Sequence, residues 1–499
     1  MGVQRYRTLY ASYYDLGIMH QTVYNTFRAI QTLDFSRILE MTNTESPQQI
    51  TRMAIHNDVL LAFLAPFYFI YASPITLIIL QTLALAAGAI VIYYLCLEVF
   101  KKSAIAPIVG ALFSLVWLLY PPMQRSNLYD FHAVVLSTTF LLGMYYLWVK
   151  KRYRWSGLFF VLSILSKEQV ALTTLLFGVY ALMRPVHVSL LSNPVRDTLK
   201  RIHSDKKNFM FSVLVIAASA IWFILSIFVI IPYFRGADHF AAARYGEFGE
   251  SPGAIIWGIF HSPMTVVHSL IKNDAIRYVE LLLGPLGYLS LFSPLHLLIV
   301  VPEFAINLLS NSPAMRNIIY HYTAVIQPFL FIAAIYGLKN VLSWIKRLPW
   351  IPASAGMTAK NTGRDSGRIL SILCIFLLVM TMWYSYTKSP LIYSREREIH
   401  PFVYPQKEWV RAEYWAKQVQ DETTTVSTTG QLAPYFTSRR YFYTFSKYYS
   451  QAQYVIIRPN EIYDYTEKAE LVPVYERLVK DSRYRLVEKQ DNFEVYKRI

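Results

Sequence analysis

The sequence is poor in cysteine, in glycine and in charge. Its 499 residues include only 2 Cys and 19 Gly, and charged side chains make up 16%. Both cysteines, Cys96 and Cys374, lie in apolar stretches, which indicates neither a disulfide nor a thiolate metal site. The sequence has no phosphate-binding glycine loop, Ser–His–Asp order or Cys/His zinc spacing, which argues against a nucleotide-driven pump or a zinc protease. Residues 1–30 contain no apolar core of the kind that a cleavable signal peptide needs.

Long apolar runs are what the sequence has instead. Hydrophobic residues make up 54% of the chain and aromatic residues 16%. Repeated runs of about 20 apolar residues match the length that an α-helix needs to cross a bilayer. Tyr and Trp are typical of the two interfaces of a membrane. The pattern predicts a mainly helical, polytopic membrane protein with spans over 74–100, 104–120, 131–149, 210–232, 321–343 and 369–387.

The positive charge is concentrated in the short links between these runs. Four links together contain eighteen Lys and Arg but only three acidic residues, so they carry +15 of the formal net charge of +16. Because Lys and Arg are retained on the cytoplasmic side, these links should be cytoplasmic. The basic character therefore reflects topology in the cytoplasmic membrane and predicts no nucleic-acid partner. The links are 101–102, 150–154, 184–207 and 339–368.

Two apolar stretches are interrupted. The stretch 155–183 is broken by Ser-Lys-Glu-Gln at 166–169, although both of its flanks are basic. A single span would place one basic flank outside, so we expect two short helices forming a V with its tip at the outer rim. The stretch 276–310, broken by Gly284-Pro285 and Pro294, has no basic flank and predicts a second V that opens the other way. The total is about ten membrane segments.

Both ends of the chain differ from the membrane core. The apolar segment 59–71 is too short to span at about 1.5 Å per residue, which predicts an interfacial helix. From about residue 390 the charges balance, and β-branched runs alternate with helical patterns at 405–419 and 466–480, which predicts a small α/β domain. We therefore expect an outer-face segment 1–72, a transmembrane domain 73–388 and an extracytoplasmic α/β domain 389–499.

Polar groups predicted to face outward are the candidates for chemistry. Asp15 either caps a helix that starts at Leu16 or acts as a general base just above the membrane. The polar run around His56 and Asp58 either marks the membrane edge or forms part of a site. Tyr129–His132, at the outer end of a span, reads most simply as an interfacial anchor. A single His and Asp two residues apart is too weak a pattern to assign a metal.

Lys167 and Glu168 are the most unusual pair, because ionisable residues inside a long apolar stretch are costly and are functional candidates by default. They either neutralise each other or place a lysine where a lipid phosphate can bind. The other substrate-binding candidates are individually explained as structural or interfacial groups, but they share the outer side. They are His20, Gln21, Arg244, Arg316, His321 and Tyr322, with Glu303 and Tyr245 as further polar neighbours.

Several of these motifs together resemble a known family. YDLG followed by Gln21, His56 before an apolar segment, the Lys167–Glu168 break and HYTAVIQPF (321–329) are similar to a family of uncharacterised prokaryotic membrane proteins. LAPYFTSRRYFY (432–443) extends the resemblance into the C-terminal domain. That family is similar to GT-C-fold glycosyltransferases, whose members usually have a membrane helix ahead of YDLG. Here fourteen residues precede Asp15, so we expect either an upstream start or the loss of that helix.

The resemblance implies an activity on the outer face. GT-C enzymes pass a sugar from a polyprenyl-phosphate carrier to an acceptor, which here would belong to the cell envelope. By position Asp15 matches their catalytic carboxylate, and Lys167 matches a residue that binds the carrier phosphate. The resemblance implies inverting transfer. No cofactor is assigned and no metal ligand is named, although a divalent cation stays open.

Two other functions stay open on the sequence alone. A transporter or lipid-handling protein would place Lys167 and Glu168 near the middle of the membrane, on a broken helix. A catalytically inactive relative would act as an envelope scaffold through its outer α/β domain.

Overall fold

The protein is mainly helical, with a small sheet near its C-terminus. The computed structural model describes residues 1–101, 103–187, 205–345, 359–398, 407–464 and 468–499. Parts of the basic links 101–102, 184–207 and 339–368 therefore lie outside the described residues.

Four described helices are long and apolar enough to cross a membrane, and two bent helix pairs raise the number to six. Helix Pro74–Val99 begins where Ser73 accepts a hydrogen bond from the Ile75 amide and Pro74 occupies the first turn, both typical start signals. The membrane-protein class is thus confirmed, and the finer count of about ten segments stays a prediction. The spans are Pro74–Val99, Lys206–Arg235, Gln327–Ile345 and Arg368–Lys388, with the bent pairs Ala106–Leu119 plus Pro121–Leu128 and Pro252–His261 plus Pro263–Lys272.

Both interrupted stretches are broken where the sequence predicts. Residues 165–169 separate helix Tyr153–Ile164 from helix Val170–His187. The second stretch consists of helix Ala275–Leu283, a series of short turns and helix Val301–Leu308. Gly287 and Tyr288 in those turns both have left-handed backbone angles, with φ of +56°. These two breaks are confirmed, whereas the V shape of each pair stays a prediction.

The N-terminal segment is built from short elements. A single π-helical turn, Tyr13–Gly17, leads into helix Ile18–Thr32. Strands β1 (Glu40–Thr42) and β2 (Gln49–Thr51) then pair as an antiparallel hairpin. The apolar segment that follows is a 3₁₀-helix, Val59–Phe69, rather than an α-helix. Aromatic side chains on it, including Phe63 and Phe69, are exposed.

The C-terminal region contains the predicted α/β arrangement. Its five strands are β3 (Val426–Thr428), β4 (Phe442–Thr444), β5 (Tyr454–Ile457), β6 (Tyr484–Gln490) and β7 (Phe493–Arg498). They lie in the order β4-β3-β5-β7-β6. Strands β4, β3 and β5 are parallel to one another, and β7 pairs antiparallel with both β5 and β6. Four of the strands fall in the β-branched runs, whereas β4 was missed.

The N-terminal segment packs directly against the C-terminal region. One hydrophobic cluster contains Leu16 and Val23 from the first and Phe436 and Val495 from the second. The rings of Tyr6 and Tyr435 stack with their centroids 4.3 Å apart. Residues separated by more than 400 positions thus share a core. The domain limits at residues 72 and 388 stay a prediction.

The remaining helices belong to the apolar helical region and to the C-terminal region. Helix Ala133–Val149 packs against Pro74–Val99 and against Tyr153–Ile164. The bounds of the others are Gly2–Arg7, Lys206–Leu225, Ile231–Arg235, Pro294–Leu297, Ala359–Lys388, Lys407–Gln418, Ala433–Phe436, Phe445–Tyr448, Pro459–Tyr463 and Lys468–Lys480.

We predict that Gly337→Ala destabilises the bundle. A Cβ at Gly337 would collide with the backbone carbonyl oxygen of Leu289, and overpacking of this kind typically costs about 1–3 kcal/mol. Gly157→Ala is the matched control, because a Cβ there meets nothing within 4 Å. Thermal unfolding in lipid nanodiscs should show a lower midpoint for Gly337→Ala only. Equal midpoints for the two variants would contradict this packing.

Candidate functional site

Seven of the predicted site residues line one cavity. Its volume is about 310 Å³, and its wall combines the N-terminal segment, the break at 165–169 and the loops before and after the broken stretch 276–310. Residues far apart in sequence, such as Asp15 and Lys167, thus meet around one space. The seven are Asp15, His56, Asp58, Lys167, Arg244, His321 and Tyr322.

Asp15 is held by two side chains of the Tyr129–His132 motif. Tyr129 donates its hydroxyl to Oδ2 at 2.7 Å, and Nε2 of His132 lies 2.9 Å from Oδ1. Burial alone would raise the pKa of Asp15, but the hydrogen bond and charge of His132, the Tyr129 hydroxyl and the Arg5 charge lower it below its ordinary value. The carboxylate is therefore ionised at neutral pH. It does not cap a helix, which excludes the simpler interpretation of the sequence.

The same motif also holds the loop that carries Asp15. The Ser12 amide donates to Oδ2 of Asp130 at 2.9 Å, and Arg5 lies 3.7 Å from the same carboxylate. Burial raises the pKa of Asp130 to about 6. The His132 ring stacks on His321 with centroids 3.7 Å apart. Tyr129–His132 is thus a clamp on the Asp15 loop, a role that its interfacial position did not suggest.

Lys167 presents a cation to the cavity without a close anionic partner. Its side chain is buried, and within the described ranges its ammonium makes no hydrogen bond or ion pair. Burial lowers the pKa of Lys167 below its usual range, and the nearby charges of Glu168 and Asp58 act against this shift. One of the two interpretations of the sequence was that Lys167 and Glu168 neutralise each other, but Glu168 is paired with other groups.

Arg244 supplies a second cation. Its guanidinium lies 5.6 Å from the centre of the Phe240 ring and donates to the sulfur of Met315 at 3.4 Å. A thioether is a weak acceptor, so this charge is only partly satisfied by the protein. Arg52, which the sequence analysis missed, also lines the cavity, but its Nε is 3.0–3.1 Å from both oxygens of Asp58. Arg52 and Asp58 thus form a buried ion pair.

Glu168 lies beneath the cavity and accepts hydrogen bonds from three separate groups. Nδ1 of His56 is 2.8 Å from Oε1, Nε2 of His239 is 3.2 Å from the same oxygen, and the Asn57 amide donates to Oε2 at 3.0 Å. Burial would raise the pKa of Glu168, but the hydrogen bonds from His56 and His239 hold it well below its ordinary value. Glu168 is therefore a buried, ionised acceptor.

His56, Glu168 and His239 also form a cluster of the kind that can bind a metal. One ligand atom from each lies within 4.8 Å of the other two. However, Nδ1 of His239 accepts a hydrogen bond from the Ala241 amide at 3.0 Å. That nitrogen is thus unprotonated, so Nε2 of the neutral ring carries the hydrogen and has no lone pair for a cation. The hydrogen-bond pattern of this cluster therefore does not fit a metal.

Besides Glu168, three predicted residues lie outside the cavity wall. Both ring nitrogens of His20 are bonded, to the Tyr68 hydroxyl at 2.6 Å and the Ser438 hydroxyl at 2.8 Å. Gln21 donates to the Arg440 carbonyl oxygen at 3.0 Å and so joins the N-terminal helix to the C-terminal region. Arg316 donates to the carbonyl oxygens of Ser310 and Ser312. A substrate role for these three stays a prediction without a place at the cavity.

The fold and this cavity define a helical membrane protein with an ionised, water-accessible site. The chain belongs to the family described as "Predicted membrane protein (DUF2079)", whose profile matches residues 5–495. The family resemblance seen in the sequence is thereby confirmed. No curated protein matches the chain. Among solved structures, the archaeal oligosaccharyltransferase AglB from Archaeoglobus fulgidus, in complex with an inhibitory peptide and a dolichol-phosphate, is similar over 97% of this chain and 70% of its own, with 11% identity and a TM-score of 0.43.

We predict that Tyr129→Phe raises the pKa of Asp15. The substitution removes a donor that favours the charged carboxylate while leaving the aromatic ring in place. Difference infrared spectroscopy of the aspartate carboxyl band across a pH titration measures this shift. Tyr10→Phe is the control, because Tyr10 is exposed. An unchanged Asp15 titration in Tyr129→Phe would show that the hydroxyl does not hold the carboxylate.

Proposed function

We propose that this protein is an integral membrane glycosyltransferase that transfers a sugar from a polyprenyl-phosphate donor to a cell-envelope acceptor. Its cavity would open on the outer face of the cytoplasmic membrane, as would the N-terminal segment and the C-terminal domain. The single observation that carries the proposal is that Asp15, an ionised carboxylate, and Lys167, a cation without a close anion, line one cavity. A sugar phosphate needs both kinds of group.

The charges suit an inverting displacement. The acceptor hydroxyl oxygen would form a bond to the anomeric carbon while the bond from that carbon to the phosphate oxygen breaks. Asp15 would take the hydroxyl proton, and the electron pair would leave with the lipid phosphate. Lys167 and Arg244 would stabilise the negative charge on that phosphate, as preorganised cations do at a developing anion.

The surroundings of Asp15 support its part in this scheme. Tyr129 and His132 contact different oxygens of the carboxylate and so fix its direction. A low pKa keeps the carboxylate free to accept a proton before the reaction. Fixed geometry of this kind is worth more than base strength when a bound hydroxyl must be aligned with its electrophile.

We predict that Asp15→Asn and Lys167→Ala each strongly reduce the rate of transfer. Loss of a general base typically costs about 10²–10⁴-fold in rate. Loss of a charge-assisted contact to phosphate costs about 1.5–3 kcal/mol, roughly 10–100-fold. Transfer is measured in nanodiscs with a panel of labelled polyprenyl-phosphate hexoses and pentoses, and carrier binding with undecaprenyl phosphate by native mass spectrometry. Lys167→Ala should weaken binding of the carrier, whereas Asp15→Asn should leave it nearly unchanged.

Matched controls separate a specific loss from a general charge effect. Asp464→Asn and Lys480→Ala alter exposed groups of the same type and should keep wild-type transfer and binding. Full activity in both Asp15→Asn and Lys167→Ala, with normal membrane insertion, would end the glycosyltransferase assignment.

We also predict that Ser166→Cys is accessible from outside the cell. Ser166 lines the cavity beside Lys167, so a small membrane-impermeant thiol reagent should reach it only from the outer face. The background is Cys96→Ser/Cys374→Ser, which removes the two native thiols. Protection from both sides would favour the transporter alternative, in which this break lies buried at mid-membrane. Labelling from the cytoplasmic side alone would reverse the proposed orientation.

A further inference from the structure

The Glu168 cluster has a feature that the proposed transfer step does not use. Glu168 is buried, with 3% of its surface exposed, and a buried carboxylate needs its lone pairs satisfied. An ionised carboxylate only accepts hydrogen bonds. Each of its three partners must therefore present a hydrogen, which determines where the protons of the two histidines lie.

The protons of His239 are fixed from both sides of its ring. The Ala241 amide donates to Nδ1, and Glu168 accepts from Nε2. His239 therefore has the Nε2–H form and positions Glu168. A cation at this cluster would have to displace that hydrogen and leave two N–H groups facing each other at Nδ1.

The opposite nitrogen of His56 faces Glu168. Because Nδ1 of His56 lies 2.8 Å from Oε1 of Glu168, Nδ1 carries the hydrogen. Burial and the charge of Lys167 lower the pKa of His56 well below its ordinary value, so the ring is neutral. Its Nε2 is then unprotonated.

This unprotonated nitrogen has no protein donor in the described part of the chain. The His56 side chain is 16% exposed and lines the cavity. Within the described residues, Nε2 makes no hydrogen bond, yet it is not fully buried. The lone pair of Nε2 therefore faces the open cavity, where the nearby Lys167 and Arg52 charges favour an oxygen-rich ligand.

We propose that Glu168 holds His56 in the Nδ1–H tautomer, so that Nε2 accepts a hydrogen bond from a hydroxyl group of the ligand in the cavity. The inference rests on the proposed function in one respect: the hydroxyl belongs either to the sugar of the donor or to the acceptor. Glu168 and His239 are positioning residues, whereas His56 contacts the ligand. An acceptor nitrogen of this kind selects polyhydroxylated ligands over apolar ones.

The first test measures the tautomer without any substrate. Histidine labelled with ¹⁵N is incorporated into the protein in nanodiscs, and the His56 signals are assigned by their loss in His56→Asn. Solid-state NMR should show Nδ1 protonated and Nε2 unprotonated, which is the minor form of free histidine. In Glu168→Gln the amide has a single acceptor oxygen for three donors, so the Nδ1–H form should no longer dominate. An Nε2–H form in the wild-type protein would overturn the proposal.

The second test uses two substitutions at His56. His56→Asn reproduces the Nδ1 contact with Glu168 but lacks an acceptor at the Nε2 position, whereas the amide oxygen of His56→Gln can reach that position. We expect His56→Asn to raise KM by roughly two- to tenfold, with a smaller change in kcat, and His56→Gln to restore most of the loss. A rise confined to the donor KM assigns the hydroxyl to the sugar, and a rise confined to the acceptor KM assigns it to the acceptor. His261→Asn, at an exposed histidine, is the control.

The outcomes separate this inference from the proposed function. If no polyprenyl-phosphate sugar is transferred by the wild-type protein, the proposed function fails and the tautomer measurement alone decides the inference. Wild-type KM values for both substrates in His56→Asn would overturn the hydroxyl contact. Addition of Zn²⁺ at one equivalent is the remaining arm: joint shifts of the His56 and His239 nitrogens would show a metal site and overturn the proton arrangement.

Discussion

The buried charge of Glu168 is the constraint on which the site depends. A carboxylate this deeply buried is stable only when its oxygens are surrounded by donors. The donors come from the residues before the apolar 3₁₀-helix, His56 and Asn57, and from the loop that contains His239. Satisfying one charge thus joins three distant segments. The same arrangement takes Glu168 away from Lys167, and the lysine is left facing the cavity.

The loop that carries Asp15 is held by a separate set of contacts. Its loop is held by Asp130 through the Ser12 amide and by the C-terminal region, where the Gly430 carbonyl oxygen accepts from the Tyr13 amide at 3.0 Å. Gln21 and the stacked pair Tyr6–Tyr435 extend this contact. The C-terminal region therefore supports the short π-helical turn that carries Asp15. Without that support a five-residue turn would have little stability of its own.

Much of the fold was predictable because local physics decides it. The break at 165–169 follows from Ser166, Lys167 and Glu168, which cannot remain in an apolar helix without cost. The β-branched runs predicted four of the five C-terminal strands, whereas the three-residue strand β4 lies in an aromatic, basic stretch with no clear alternation. The short helical segment within 59–71 was predicted from its apolar length, whereas its 3₁₀ form was not; its place at the membrane interface stays a prediction.

The site was predictable only in part, because its partners are fixed by tertiary structure. The polar residues predicted to face outward included Asp15, His56, Lys167 and Arg244, and all four line the cavity. The pairing of Glu168 with His239 joins positions 71 residues apart, and no local pattern marks it. His132 was visible as part of Tyr129–His132, but its contact with Asp15 depends on how two loops meet. His20 and Gln21 were candidates for the same reason, but their hydrogen bonds join the N-terminal segment to the C-terminal region, and a substrate role for them stays a prediction.

One measurement tests the central claim most directly. A cryo-electron-microscopy structure in nanodiscs containing undecaprenyl phosphate would locate the phosphate group relative to the cavity. We predict that the phosphate is in hydrogen-bond contact with Nζ of Lys167, that Asp15 faces it across the same cavity, and that the cavity opens on the outer leaflet. A phosphate bound elsewhere, or a cavity that opens toward the cytoplasm, would contradict it.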